Sequence, residues 1–370
     1  MTQEKKCINC SWRFINVCLL TGTIFFGMSY FFFIELPDYV NIVAHVKISK
    51  NSVLSLKSMF SFKETFVNIQ SKDASPGLLG QTALGSNGLG QERQSMREKP
   101  TYHRPYKFLI NEEDKCKDKS PFLVLLICTK ASEKEHRDSI RKTWGNESLV
   151  AGFPVVRLFM LGNHDPVYTP GVQNESKQYH DIIQQNFLDT YTNLTLKVIM
   201  GMEWVTTYCP HAKFVMKTDT DMFVNTEYLI QKLLVTIPPT QLFFTGRIMR
   251  NHKPIRNKDS KWYMPVDIYP EERYPDFCSG TGYVFSASIA EKVLNASLSI
   301  KYLHLEDVYV GLCLHRNKIP VASPPGSSLF NTYQVSFTPC RYNNLITSHQ
   351  ISPRLLITFW EQLQKDKKMC

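Results

Sequence analysis

The sequence predicts an α/β domain with a largely parallel sheet, set behind an N-terminal membrane anchor and a flexible stem. Three observations lead there. From about residue 107 short apolar runs alternate with segments of helical spacing, the pattern of strands joined by helices. Residues 14–34 are apolar and carry no formal charge. Between these regions lies a glycine-bearing stretch without periodicity.

The anchor comes first. Phe14 to Ile34 is 21 residues long, and seven of them are Phe or Tyr. As a helix it spans a bilayer core of about 30 Å. A cleaved signal peptide would have a shorter apolar run followed by a small-x-small site, and neither is present. Lys5, Lys6 and Arg13 precede the run, whereas Glu35 and Asp38 follow it. The positive-inside rule then puts residues 1–13 in the cytosol and the rest of the chain in a lumen. Residues 35–106 read as the stem. Residues 77–90 hold five glycines, and ordering them costs more entropy than their contacts return. Such a segment acts as a spacer. Four glycosylation sequons, at Asn146, Asn174, Asn193 and Asn295, agree with a lumenal domain over residues 107–370.

Composition narrows the partners. The net charge of +10 suits nucleic acid, anionic membrane or phosphate-bearing small molecules. No basic helix, zinc pattern or RNA-binding motif accompanies it, so nucleic acid is not expected. Of ten cysteines, Cys7 and Cys10 precede the anchor, Cys18 lies in it and seven follow. Seven is odd, so one at least is unpaired within the chain. Cys128, at the end of an apolar run, is the candidate buried thiol. The other six allow three disulfides, with connectivity left open.

In chain order, Pro121–Cys128 is a continuous apolar run, as in a strand buried on both faces. Residues 132–144 open with Ser132 and carry charges at helical spacing. Val155–Leu161 is a second strand, ended by Gly162-Asn163. A helix is expected around 176–188, and another over 194–208, where Leu196, Ile199, Met200 and Val205 recur near helical spacing. Lys213–Lys217 is the next strand. Glu227–Leu234 is helical and stopped by Pro238-Pro239. In open sheets of this kind ligands bind beyond the carboxyl ends of the strands.

Asp219 and Asp221 occupy that position, between the apolar runs Phe214-Val215-Met216 and Met222-Phe223-Val224. An isolated Asp-x-Asp is ordinarily a solvated loop. Wedged between buried segments, two unpaired carboxylates are costly. A hard divalent cation removes that cost and can then grip a diphosphate. A second acidic pair, Glu306-Asp307, precedes an apolar stretch running to Leu314. It suits either a helix N-terminus or a general base. Gly280 and Gly282 alternate in a segment that allows close approach of a ligand or forms an ordinary bulge. Arg137 and Arg141 share a helix face, directed to phosphates or to solvent. Lys261-Trp262-Tyr263 offers rings for stacking on a sugar, or for a core.

Five motifs then occur in order: Arg-x-x-Ile-Arg-x-Thr-Trp-Gly (137–145), Phe-Met-Leu-Gly (159–162), Lys-Thr-Asp-x-Asp-Met-Phe-Val-Asn (217–225), Tyr-Pro-x-Phe-Cys-Ser-Gly-Thr-Gly-Tyr-Val-Phe-Ser (274–286) and Glu-Asp-Val-Tyr-Val-Gly (306–311). Together they resemble the β-1,3-galactosyltransferase family of type II Golgi membrane enzymes, over roughly residues 105–370. The resemblance implies a GT-A glycosyltransferase fold, a single Rossmann-like nucleotide-sugar-binding domain. It implies UDP-galactose as donor, Mn2+ as cofactor and inverting transfer to the 3-hydroxyl of a terminal β-N-acetylglucosamine on glycoprotein or glycolipid glycans. UDP-N-acetylglucosamine and UDP-N-acetylgalactosamine are the alternative donors. A lumenal lectin or chaperone that keeps the fold without turnover is the rival from another class. Position by position, the resemblance implies metal ligation by Asp219 and Asp221, with Asp221 the more direct ligand. Asp307 is the implied base, with Glu306 beside it. Arg137, Arg141, Trp144, Lys217 and Thr218 go with the donor. Trp262, Tyr263, Gly280 and Gly282 go with the acceptor. Two departures stand out. Where the family has Phe-Asn-His-Trp this chain has Phe330-Asn331-Thr332-Tyr333, which leaves His349 and His304 as stand-ins for that histidine. Cys128 occupies a site where a small residue is expected.

Overall fold

The computed structural model describes residues 106–238 and 240–366. The expected tail, the anchor at 14–34 and the stem up to residue 105 lie outside the described residues. Among the described residues no helix is long and apolar enough to cross a membrane.

The strands are β1 (Phe108–Ile110), β2 (Leu123–Cys128), β3 (Val155–Asn163), β4 (Ile182–Leu188), β5 (Phe214–Asp219), β6 (Met222–Val224), β7 (Phe244–Met249), β8 (Phe277–Ser286) and β9 (Thr347–His349). Seven form one sheet in the order β1-β4-β3-β2-β5-β8-β7, while β6 and β9 pair separately. The centre, β4-β3-β2-β5, is parallel as expected. The sheet as a whole is mixed, because β1, β8 and β7 join antiparallel. Every residue of β2 is buried. Its side chains alternate between two cores. Val124, Leu126 and Cys128 face one, and Leu123, Leu125 and Ile127 the other. That is the two-residue period of a strand covered on both faces.

Helices cover the sheet: α1 (Lys134–Lys142), α2 (Thr169–Tyr179), α3 (Leu194–Tyr208), α4 (Ser288–Ala296), α5 (Glu306–Arg316), α6 (Pro339–Asn343) and α7 (Pro353–Asp366). The α3, α4 and α5 helices share one core, and Ile140 of α1 shares the other with Leu356 and Leu363 of α7. Helical turns run through Thr226–Tyr228, Leu229–Leu233 and Leu234–Thr236, before the two prolines.

The helix expected around 176–188 is half wrong. The α2 helix ends at Tyr179, the chain turns left-handed at His180 (φ 49°), and residues 182–188 form β4. Gln184 and Gln185 hide this strand in the sequence. Both side chains are buried, and their amides donate to the Gly162 carbonyl and to Glu203. A buried polar pair satisfied in this way breaks the apolar run that marks an interior strand.

The three-disulfide expectation is also corrected. Cys116, just after β1, is bonded to Cys209 at the end of α3, and Cys340 is disulfide-bonded. Cys278 is a buried thiol inside β8, where burial raises its pKa. Cys128 is the buried thiol expected, pushed up to about 12 by burial.

Candidate active site

The β5 strand carries its last residue, Asp219, to the carboxyl edge of the sheet, and the chain turns through Thr220 and Asp221 into β6. Pairing of β6 with β9 sets Met222 opposite His349. The imidazole therefore meets the carboxylate, with His349 Nε2 3.0 Å from Asp221 Oδ2. His349 Nδ1 lies 3.1 Å from the Thr332 carbonyl oxygen. A carbonyl only accepts, so Nδ1 carries a proton and Nε2 is the atom turned to Asp221. The Asp221 hydrogen bond raises the His349 pKa. Burial pushes Asp221 up, but the bond and charge of His349 outweigh it and hold the carboxyl below its ordinary value.

The turn is pinned from the other side. Glu133 Oε2 accepts from Thr220 Oγ1 at 3.0 Å and from the Lys130 amide at 3.0 Å. Sequence reasoning missed Glu133. Its only local signal is an acid at a helix start after a buried strand.

A cavity of about 600 Å³ opens here. Asp219, Asp221, His349 and Thr332 line it, and so do Asp307, His304, Trp262 and Tyr191. Asp307 lies in the first turn of α5. Its Oδ1 accepts from the Val308 amide at 2.9 Å and its Oδ2 from the Gly280 amide at 3.2 Å. Burial raises its pKa, and those two amides oppose the rise. Tyr191, 47 % exposed, was also missed, because no motif surrounds it. Trp262 is 49 % exposed, with the Lys261 ammonium 4.7 Å from the centre of its ring.

Several expected contacts are not made. The Arg137 guanidinium is fully buried and donates to both oxygens of Glu175, at 2.7 and 2.8 Å, and to the Ala131 carbonyl. Arg141 reaches Glu175 and Asp181, and its guanidinium lies 4.0 Å from the centre of the Tyr179 ring. Asp181 also holds Arg157 at 2.6 Å. Burial raises the Asp181 pKa, but the arginines more than offset this and depress it. Trp144 is buried and donates to the Met222 carbonyl at 3.0 Å, which buttresses β6 from below. None of these three donor candidates lines the cavity. Helical spacing placed the arginines on one face correctly, but that face is turned to buried acids.

Lys217 and Thr218 are likewise turned inward. Lys217 is 1 % exposed, and its ammonium is shared among Asp219 Oδ1, Glu306 Oε1 and the Gly280 carbonyl. Burial alone would lower its pKa, but Asp219 and Glu306 hold it well above the ordinary lysine value. Asp219 is itself raised by burial, against the pull of Lys217. Thr218 donates to the Thr281 carbonyl and joins β5 to β8. Gly282 pairs with Thr218 inside the sheet and Tyr263 pairs with Ile255, and neither lines the cavity. Gly280 does line it.

The sequons differ in access. Asn146, Asn174 and Asn295 are exposed. Asn193 donates its side-chain amide to the Leu188 carbonyl, and the hydroxyl of its sequon partner Thr195 is buried on the Leu303 carbonyl.

Comparison with known proteins identifies the family to which the chain belongs. The galactosyltransferase family model matches residues 135–325, which hold Asp219, Asp221, Glu306 and Asp307. A model for the N-terminus of beta-1,3-galactosyltransferase 2 matches residues 52–124. Beta-1,3-galactosyltransferase 2 of Mus musculus is 52% identical over 309 residues, which is 82% of this chain and 73% of the relative. Beta-1,3-galactosyltransferase 1 of Mus musculus is 48% identical over 277 residues, 74% of this chain and 84% of that one. A crystal structure of a glycosyltransferase involved in the glycosylation of the major capsid of PBCV-1 covers 65% of this chain and 99% of its own. At 10% identity and a TM-score of 0.33 that likeness carries no argument. On the family match and the 52% identity, the chain belongs to the galactosyltransferase family, among its β-1,3-galactosyltransferases.

Proposed function

We propose that this chain transfers galactose from UDP-galactose, with inversion, to the 3-hydroxyl of a terminal β-N-acetylglucosamine on glycoprotein or glycolipid glycans. The observation that carries the reading is a single cavity lined by Asp219 and Asp221 as well as by Asp307. Asp307 accepts the proton of the acceptor hydroxyl as its oxygen attacks the anomeric carbon. The bond from that carbon to the UDP oxygen breaks on the opposite face, and UDP leaves with the electron pair. One base suffices, because a single displacement inverts the centre without a covalent intermediate. Trp262, in the lining of the same cavity, offers a ring for the acceptor sugar.

Manganese is the cofactor proposed. Among the described residues no three His, Cys, Asp or Glu side chains form a ready-made metal cage. The residues fit a cation shared with substrate, which is typically held by one or two carboxylates plus phosphate oxygens. Asp219 and Asp221 are the carboxylates that would hold it, and His349, bonded through Nε2 to Asp221, is the residue that would stand in for the family histidine on giving up the proton of that bond. When bound, manganese supplies positive charge to a departing diphosphate. Residues 14–34 would anchor the enzyme in the Golgi membrane as a single-pass type II protein. The flanking charges and the sequons support that placement.

A sugar-nucleotide panel with an N-acetylglucosamine acceptor tests the reading. UDP-galactose should give the fastest transfer, with activity lost to a chelator and restored by manganese. Transfer from UDP-N-acetylglucosamine or UDP-N-acetylgalactosamine alone would replace the donor. No UDP release with any donor would favour a lectin or chaperone role.

A further inference from the structure

Glu306 adjoins the base in sequence but is held quite differently. It is 3 % exposed. Its Oε1 accepts from Lys217 Nζ at 2.8 Å and its Oε2 from the Tyr283 hydroxyl at 3.0 Å. Lys217 belongs to β5 and Tyr283 to β8, and the two residues stand opposite each other across that strand pair. Glu306 thus fastens the first turn of α5 to two strands of the sheet. Gly280 makes room for this. A Cβ there would lie 2.4 Å from Glu306 Oε1. The same glycine gives its carbonyl to Lys217 and its amide to Asp307. The three ammonium protons of Lys217 meet three acceptors, one of which is Asp219. A continuous set of bonds therefore runs from Asp219 through Lys217 to Glu306 and Gly280, and from Gly280 to Asp307.

We infer that Glu306 is a positioning residue which, with Lys217 and Tyr283, sets the orientation of Asp307 and its place relative to Asp219. The inference rests on the proposed transfer reaction. Glu306 lines the same cavity as Asp307, but each of its oxygens already accepts a bond, from Lys217 of β5 or from Tyr283 of β8, and these fix the carboxylate against the sheet. Its effect on proton transfer runs through Asp307, which shares Gly280 with it. Misplacement of a reacting group by about 1 Å costs on the order of 100-fold in rate, so a loosened base should show in kcat and not in donor binding.

The test uses the full chain with Glu306→Gln, Tyr283→Phe and Asp307→Asn. UDP affinity is measured by calorimetry in manganese, and kcat and KM for UDP-galactose by steady-state kinetics. Glu306→Gln should lower kcat about 10- to 100-fold, with UDP affinity and donor KM within about threefold. Tyr283→Phe removes one hydroxyl only and should lower kcat in the same sense by less. Three results would overturn the inference. These are unchanged kcat in both variants, a Glu306→Gln loss as complete as that of Asp307→Asn, or loss of UDP affinity in step with kcat. If Glu306→Gln does not fold, Tyr283→Phe decides by the same criteria. An unsubstituted chain that binds no UDP and turns over no donor would instead refute the transfer reading.

Discussion

Asp307→Asn should abolish transfer while leaving UDP binding within about twofold of the unsubstituted chain. The substitution keeps the shape of the side chain and removes the proton acceptor. A positioned general base contributes roughly 100- to 10,000-fold, and the loss should fall in kcat. The donor side is untouched, because Asp307 contacts only the Gly280 and Val308 amides among the described groups. Its pKa also fixes the sign of the pH dependence. Burial lifts the carboxyl above the ordinary value of 3.8, against the two amides. The protonated form cannot accept the substrate proton. Transfer should therefore rise with pH through a value above 3.8, and kcat/KM measured from acid to neutral pH gives that limb. Turnover within tenfold of the unsubstituted enzyme would remove Asp307 from its role. Glu306, which lines the same cavity, would then be the carboxylate to test as the base.

Legibility in the sequence followed how local each interaction is. The β2 strand announces itself because both faces are apolar, and β3 and β5 do so through apolar runs that outweigh one buried cation each, Arg157 and Lys217. The β4 strand does not, since Gln184 and Gln185 are buried polar residues whose partners lie elsewhere in the chain. That Asp219, Asp221 and Asp307 line one cavity was foreshadowed because each stands at the boundary of a buried segment, where a carboxylate needs a reason. His349 was only one of two stand-ins until the β6–β9 register placed it on Asp221. Arg137 and Arg141 show the limit most plainly. Two arginines one helical turn apart look the same whether they await a phosphate or neutralise buried acids. The acids that pair with them here, Glu175 and Asp181, come from α2 and from just before β4, in another part of the sequence. The buried partners of Lys217 were hidden for the same reason, because Glu306 and Gly280 reach it through tertiary pairing.

Arg137→Met should destabilise the domain by about 3–5 kcal/mol, the usual cost of removing one partner from a buried ion pair. In a domain of this size that lowers the melting midpoint by roughly 10 °C. Both Arg137 and Glu175 are 1 % exposed at their side chains, so water cannot replace the lost partner. Arg141 would still neutralise part of Glu175. It could not restore the bonds from Arg137 to the Lys130 and Ala131 carbonyls, which hold the chain between β2 and Glu133. The damage thus lies next to the residue that pins the Asp219–Asp221 turn. Denaturant unfolding at neutral pH measures the effect free of acid titration. Asp181, in the same network, has a depressed pKa, so its contribution is complete above its unfolded value and is lost only as pH falls through the lower folded one. Donor kinetics well below the melting midpoint separate the two readings of Arg137. A structural arginine leaves KM for UDP-galactose within about threefold once the protein is folded, whereas removing a direct phosphate contact of about 1.5–3 kcal/mol would raise it by more than tenfold. A large rise in KM at unchanged stability would return Arg137 to the donor site, and would require its bond to Glu175 to open when the donor binds.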